Sequence, residues 1–429
     1  MRVLLTGATG LIGSATLAGL KSEGHEVVAA ARRHREAGVL GADRWIIVDI
    51  ARATNPEDWL HHLRAVDAVV NCAGVLQDSP YDSTAGVHVH GIGALFAACE
   101  RAGVRRVIQI SAIGVDGAAP TAFSRSKFAG DSALMARALD WVILRPSVVV
   151  GRAAYGGSAL LRGLAALPVL PRLPDAGPLQ IVQLDDVVGA ILFFLRAGAP
   201  VRMVLDVAGP ERLMLGDVVL AYRQWFGWSK PRELRLPRWS LSVICRLADL
   251  LGVLGWRSPM RTTAYREIIR GAVGDATEWT RTTNIKPQAL TAALAAKPAS
   301  VQERWFARLY FVKPLVLGSL ALFWLSTGFI ALSPGWEAGL SLVEESTGGN
   351  GALLLAVAGA AADILIGCAI ALRRTARAGL YAALTLSVVY VIAGTLLLPR
   401  LWQDPLGPLL KILPIVALNL VALAILDDR

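Results

Sequence analysis

Cysteine is scarce. Cys72, Cys99, Cys245 and Cys368 stand far apart, with no metal-type pair among them. This spacing excludes a Cys-ligated metal centre and a disulfide frame, and it points to a reducing compartment in which the thiols are small packing residues. Charge is scarce too, at 18% of residues against 54% hydrophobic, a balance too apolar for an ordinary water-soluble chain of 429 residues. The little charge there is lies unevenly. Residues 311–429 hold seven Lys/Arg and seven Asp/Glu, so the whole formal excess of +10 falls before them. A basic part joined to a neutral, apolar part suits an anionic ligand and an anionic membrane surface. A nucleic-acid partner would need Lys/Arg clusters interleaved with stacking aromatics, and the sequence has none. No basic segment with a cleavage site precedes the first strand, because Met1-Arg2-Val3-Leu4-Leu5 runs straight into a glycine turn, so the N-terminus is expected to stay in the cytosol.

Over residues 1 to about 150, short Val/Ile-rich runs alternate with Ala-rich helical patterns, the mark of repeated βαβ units and a parallel sheet. The runs are Val3–Thr6, Val27–Ala30, Trp45–Asp49, Ala68–Asn71, Val107–Ser111 and Trp141–Leu144. Six such strands complete a doubly wound α/β sheet. Residues 151–300 are less regular and rich in Pro, Arg and Trp, with one more strand-like run at Met203–Val207; a small substrate-covering subdomain is expected there.

Four apolar stretches follow, roughly Leu315–Leu332, Ala352–Leu372, Gly379–Leu398 and Leu409–Leu426. Each is about long enough to cross a bilayer, which predicts an all-α four-helix transmembrane domain. The 333–350 loop carries Glu337, Glu344 and Glu345 without Lys/Arg, whereas the 373–378 turn carries Arg373, Arg374 and Arg377, and Arg304, Arg308 and Lys313 flank the first stretch. By the positive-inside rule, this puts both termini and the soluble part on the cytoplasmic side of an inner membrane, with Arg400 the one dissenting charge. Asp363 is conspicuous inside a span and should face other helices; depth along the axes makes Asn419 a possible partner and sets Lys411 shallower. The expected organisation is therefore a head over 1–300, a juxtamembrane linker over 301–314 and the membrane domain over 315–429.

The strongest chemical signal is Thr6-Gly7-Ala8-Thr9-Gly10-Leu11-Ile12-Gly13, a strand, three glycines and a helix in the order that cradles a dinucleotide. Gly7 permits the tight turn, Gly10 lets backbone approach the pyrophosphate, and Gly13 lets the helix pack close with its first amides facing the anion. About twenty residues on, NAD-preferring proteins place a carboxylate on the adenosine ribose. Here the second strand ends Ala29-Ala30-Ala31-Arg32-Arg33, and Arg32 suits a 2′-phosphate, so NADP(H) is preferred over NAD(H). Arg33 and Arg35 read as loop solvation. Asp49-Ile50 is placed beside the adenine, and Asn71-Cys72-Ala73-Gly74 at the adenosine side.

These motifs, with Ser111, Ser126-Lys127, Leu144-Arg145-Pro146-Ser147-Val148-Val149-Val150-Gly151 and Gln183-Leu184-Asp185-Asp186-Val187, resemble the extended or atypical short-chain dehydrogenases over about 300 residues. The branch most resembled contains the NAD(P)-binding accessory subunit of respiratory complex I and NmrA-like proteins. The stretch Leu398–Lys411 resembles a DoxX-like membrane domain fused to such proteins. The resemblance implies a Ser, Tyr, Lys catalytic set, with Asn71, Ala73, Gly74, Pro146, Ser147, Val148 and Lys127 among the cofactor-binding residues. Ser111 and Lys127 are present. Four residues before Lys127, however, stands Phe123, which has no proton to transfer; Tyr155 reads as a pocket wall.

The apolar run Leu160–Leu170, placed over the substrate pocket by the resemblance, suits a quinone- or lipid-like ligand. The run Trp239–Trp256 reads equally as a packed helix or as an interfacial one. Two functional readings follow. One is a membrane-anchored NADP(H)-binding oxidoreductase acting on a hydrophobic substrate near the bilayer. The other is a noncatalytic NADP(H)-binding redox sensor or assembly subunit of a membrane complex. A nucleotide-sugar epimerase would need the missing tyrosine.

Overall fold

The computed structural model describes residues 1–33, 41–117, 119–173, 175–256, 258–347 and 349–426, apart from the Arg238 side chain. Arg35 and Arg257 therefore lie outside the described residues. The chain forms two compact units, Met1–Asp249 with Ser258–Ala307, and Leu250–Arg257 with Arg308–Arg429.

The strands of the first unit are β1 (Arg2–Thr6), β2 (Glu26–Ala31), β3 (Arg44–Ile47), β4 (Ala68–Asn71), β5 (Arg106–Ile110), β6 (Asp140–Pro146), β7 (Val148–Val150), β8 (Val169–Arg172), β9 (Leu179–Gln183), β10 (Met203–Val207), β11 (Arg212–Leu213) and β12 (Arg232–Arg235). Its helices are α1 (Leu11–Ser22), α2 (Glu57–Leu60), α3 (Ile92–Ala102), α4 (Ala122–Met135), α5 (Gly156–Ala166), α6 (Leu184–Leu195), α7 (Leu215–Trp225), α8 (Arg238–Val253), α9 (Thr262–Arg270), α10 (Thr277–Thr283), α11 (Leu290–Ala296) and α12 (Val301–Leu309), with the last residues of α8 and α12 in the second unit.

Seven strands make one sheet in the order β10-β6-β5-β4-β1-β2-β3, and every pair in it is parallel. This is the doubly wound α/β fold expected from the six runs, with one addition. The Met203–Val207 run, read as part of the cover, is the edge strand beside β6. Leu205 and Val207 are buried there, as suits a parallel strand covered by helices.

Period-2 alternation divides the core. Leu4 of β1 packs with Ile92, Leu95 and Phe96 of α3 on one face, while Val3 and Leu5 pack with Leu17 and Leu20 of α1 and Ile191 and Phe194 of α6 on the other. β7, β9 and β11 form a second sheet, and β8 pairs with β12. The chain order reverses between β1 and β4, and ligands of such sheets bind outside the carboxyl ends of the strands at that point.

The second unit contains α13 (Val312–Leu332), α14 (Trp336–Thr347), α15 (Ala352–Ala371), α16 (Ala376–Leu397) and α17 (Ile412–Ile425). Three of these, α13, α15 and α16, are long and apolar enough to cross a membrane. The fourth expected span is shorter: Leu409–Leu426 is helical only from Ile412 to Ile425, about 21 Å at 1.5 Å per residue. Pro414 supplies no amide to continue the ladder backwards, so the helix starts just before it.

Small residues set the packing. A Cβ on Gly328 would lie 2.6 Å from the Ala360 carbonyl oxygen, and one on Gly367 2.8 Å from the Leu325 amide, so α13 and α15 approach backbone to backbone. Asp363 accepts a hydrogen bond from the Tyr390 hydroxyl at 3.0 Å. Asn419 instead donates to Ile415 of its own helix at 2.9 Å, because depth along the axis does not fix which way a side chain points around it. One end of this unit is basic: Lys313 and Arg373 both donate to the Leu426 carbonyl at the end of α17. At Arg400 the dissenting charge is neutralised by an ion pair with Glu345.

Candidate cofactor and active site

The carboxyl end of β1 turns at Gly7, whose φ of +68° lies in the left-handed region. A Cβ on Gly7 would stand 2.6 Å from the Ala73 amide, and one on Gly13 would stand 2.0 Å from the Gly7 carbonyl oxygen. At Gly10 the corresponding distance to that oxygen is 3.3 Å. Gly10 is also the N-cap of α1 and offers no side-chain cap. The amides of Leu11, Ile12 and Gly13 therefore open the helix without an intrahelical acceptor, next to the half-buried Thr9. These bare-backbone surfaces fit a pyrophosphate.

A polar ladder crosses the neighbouring strand ends. The Thr6 hydroxyl donates to Asn71 Oδ1, Asn71 Nδ2 donates to Gln109 Oε1 at 2.6 Å, and the Ala73 backbone amide donates to Asn71 Oδ1 at 3.2 Å. Asn71 thus shapes the Cys72-Ala73-Gly74 corner from beneath, fully buried.

Against that corner lies Lys127. It is 4% exposed and donates to the carbonyls of Ile110 at 2.8 Å and Ala73 at 3.5 Å. A Cβ on Gly74 would be 3.4 Å from its nitrogen. Burial pulls its pKa down to about 8, with Asp131 opposing. One turn along α4, the buried Asp131 accepts from the Ser111 hydroxyl at 2.7 Å and from Arg145 at 3.0 Å. Burial pushes the Asp131 carboxyl upward, while Ser111 and Arg145 pull it back. The Ser111 proton is thereby committed to a carboxylate.

Phe123, one turn before Lys127, is half-buried and packs edge-on against His88 at 5.7 Å. His88 Nε2 accepts from the Val75 amide at 2.9 Å, so its proton sits on Nδ1 and is donated to Ser126 at 2.9 Å. Ser126 passes its own proton to the Phe123 carbonyl at 2.9 Å. Burial, with help from the Lys127 charge, lowers the His88 pKa to about 2, so the ring is neutral. His88 lies on a π-helical turn, Gly86–Gly91, wedged on both sides: a Cβ on Gly91 would fall 1.8 Å from the Ile50 carbonyl oxygen, and one on Gly130 2.2 Å from that of His88.

Asp49 follows β3 and accepts from the Ala51 amide at 3.2 Å. Arg32, the first residue after β2, pairs with Asp82 at 2.6 Å. Pro146 closes β6 and Val148 opens β7, and between them the buried Ser147 hydroxyl oxygen has no hydrogen-bond partner among the described residues. Tyr155 caps α5, where its amide donates to Ser158. Arg162 is turned away into the protein, donating to Gly151 at 2.5 Å and lying 5.7 Å from the Tyr222 ring. An open depression of about 410 Å³ lies elsewhere, at the amino ends of the strands, lined by Met1, Asp67, Arg105 and Asp140 among others.

Sequence reasoning missed three participants: Asp131, His88 and Asp82. Asp131 had a visible signal, its four-residue spacing from Lys127 on an expected helix. His88 and Asp82 come from loop and π-helical segments without a readable period.

Residues 7–162 match the NAD(P)H-binding family, and residues 321–420 match the DoxX-like family. The chain joins an NAD(P)-binding Rossmann domain to a DoxX-like domain. Among solved structures, MoeE5 in complex with UDP-glucose and NAD is similar at 20% identity and a TM-score of 0.54, covering 72% of this chain and 99% of that one; at this identity the likeness is one of fold. Among curated relatives, an uncharacterised Mycobacterium tuberculosis protein is 29% identical over 225 residues, 52% of this chain. The match spans only 23% of that relative's length. Sterol demethylase protein B of Methylococcus capsulatus is 26% identical over 348 residues, covering 71% of this Rossmann–DoxX chain and 99% of that protein. The ceramide reductase of Caulobacter vibrioides is 22% identical over 280 residues, covering 65% and 85%. The Rossmann–DoxX chain is thus an NAD(P)-binding, oxidoreductase-like protein with a membrane-associated domain.

Proposed function

We propose that this protein is an NADP(H)-dependent oxidoreductase that reduces a lipid- or quinone-like acceptor beside the bilayer. The observation that carries this reading is the succession of contacts from the glycine turn to the Ala73-Gly74 corner and from that corner to the buried Lys127 ammonium, in a chain that continues into apolar helices long enough to cross a membrane. In it, Gly7, Thr9, Gly10, Leu11, Ile12 and Gly13 hold the pyrophosphate, and Asp49, Ile50, Asn71, Ala73 and Gly74 border the adenosine. Lys127 holds the nicotinamide ribose with Pro146, Ser147 and Val148 alongside. The bound dinucleotide supplies a hydride, and the proton completing the reduction comes from water, since Phe123 has none. The sterol and ceramide in the names of two relatives agree with a hydrophobic acceptor. The head spans 1–300, the linker 301–314 and the membrane domain 315–429. The basic end of the helical unit faces the cytoplasm, with both termini, in the inner membrane.

The test is to purify the full chain in detergent, titrate NADPH by fluorescence, and follow its oxidation with quinones and long-chain aldehydes. Saturable NADPH oxidation with at least one of them is expected. Binding without turnover across the panel would instead establish the second reading, a noncatalytic sensor or assembly subunit. Two features favour that second reading: Phe123 at the proton-donor position, and the Ser111 hydroxyl engaged by Asp131. Activity gained in Phe123→Tyr would mark a site one residue short of catalysis.

Arg32 carries the preference for NADP(H). A 2′-phosphate must draw it from Asp82, replacing one charged pair with a more highly charged one. Charge-assisted bonds are worth about 1.5–3 kcal/mol, so Arg32→Asp should weaken NADPH on the order of tenfold to a hundredfold with little effect on NADH. Equal loss of both cofactors in calorimetric titrations would remove Arg32 from this role.

A further inference from the structure

The helix Arg238–Val253 leaves an apolar arc uncovered. Trp239 is 70% exposed and Leu250 60%, with Val243, Ile244, Leu247 and Leu251 also open. At 100° per residue these six fall within about 140° of one side. Leu241, Cys245 and Ala248 lie on the opposite side and are buried. Scattered exposed apolar residues are ordinary on a protein surface, but a continuous helical arc of this kind has an occupant.

The chain just beyond shows which occupant. Residues Leu250–Arg257 belong to the same compact unit as the membrane helices. There the Trp256 indole donates to the Ala371 carbonyl at 2.6 Å, and the Arg373 amide donates to Leu254 at 3.1 Å. The Arg373 guanidinium stands 5.6 Å from the Trp256 ring. Ala371 ends the membrane-spanning helix α15, so Trp256 sits where hydrocarbon gives way to headgroups, the depth that tryptophan favours. The last turn of the helix, from Leu250 to Val253, belongs with this anchor. The helix's exposed Arg246 lies at the edge of the arc, where an interfacial helix meets lipid phosphates.

We propose that Arg238–Val253 lies in the headgroup layer of the same bilayer, with the arc from Trp239 to Leu251 in the acyl-chain boundary. The proposal goes beyond the reading of the active site and holds whether or not the head turns over a substrate.

The test uses the full chain in phosphatidylcholine vesicles containing phosphatidylglycerol. The fluorescence of Trp239, taken as wild type minus Trp239→Phe, should lose at least half its intensity to lipids brominated near the headgroup. Lipids brominated near the bilayer centre should quench it less. Quenching by aqueous iodide alone would overturn the proposal. In parallel, p-benzoylphenylalanine replacing Leu247 should yield phospholipid adducts on illumination. Cross-linked dimers would assign the face to a second copy, and absence of any adduct would assign it to water; either overturns the proposal. NADPH binding, read on the same samples, is expected to be unchanged, so failure here stays separate from failure of the functional reading.

Discussion

Alanine at Gly13 is expected to abolish measurable binding of either nicotinamide nucleotide and to lower the melting temperature of the apoprotein. The added Cβ would stand 2.0 Å from the Gly7 carbonyl oxygen, with the Gly7 carbonyl carbon at 2.7 Å. Both are backbone atoms, so no side-chain rotation relieves the contact. Helix α1 must move away from the turn that it caps, and its opening amides leave the place proposed for the phosphates. Overpacking of this kind costs about 1–3 kcal/mol, a large share of a typical domain stability of about 5–15 kcal/mol. Gly10→Ala makes the informative comparison, because its Cβ meets the same oxygen at 3.3 Å. It should leave the melting temperature nearly unchanged yet weaken NADPH roughly tenfold or more, by standing where the pyrophosphate approaches. Fluorescence titration and thermal melts of the two variants separate the effects. Wild-type NADPH affinity in Gly13→Ala would end the assignment of the dinucleotide to this turn.

The second large effect has opposite signs for stability and binding. Lys127→Met should stabilise the apoprotein at pH 7 while weakening the cofactor at least tenfold. The ammonium is enclosed almost completely, and burial lowers its pKa from 10.5 to about 8. The folded state therefore binds this proton less tightly than the unfolded chain does. That penalty is fully present below pH 8 and is relieved as pH rises from about 8 towards 10.5, since there only the unfolded state still holds the proton. A shift of this size corresponds to something on the order of 3 kcal/mol. In the wild type, apoprotein stability should rise over that interval relative to Lys127→Met, with the difference between the two cancelling other titrations. Methionine fills the same space without a charge, so the gain at pH 7 comes with the loss of the donor proposed for the ribose. A variant less stable than wild type at pH 7 would show that the bonds to Ile110 and Ala73 outweigh the desolvation of the charge.

Much of this architecture could be read from local pattern. The six runs of Val and Ile became β1 to β6 because a strand covered on both faces needs apolar residues at every position, and Val3-Leu4-Leu5 states that need directly. Met203–Val207 carried the same signal, but its place beside β6 depends on a long crossover that no local pattern records. The glycine turn was legible because each glycine answers to a backbone contact. Asp131 showed only its spacing from Lys127, and His88 showed nothing, because their importance comes from what surrounds them: a serine after β5 and an arginine of β6 in one case, a π-helical turn in the other. In the apolar region, hydropathy located the stretches well but not the length of the last helix, where Pro414 shortens it.

The turn Gly86–Gly91 has a mechanical consequence. It bears on the Ile50 carbonyl at one end and, through His88, on Gly130 of the lysine-bearing helix at the other. With backbone against backbone at both points, no side-chain rotation can absorb a shift of Ile50 relative to Gly130. A larger side chain at Gly91 or Gly130 would therefore have to displace main chain at either contact.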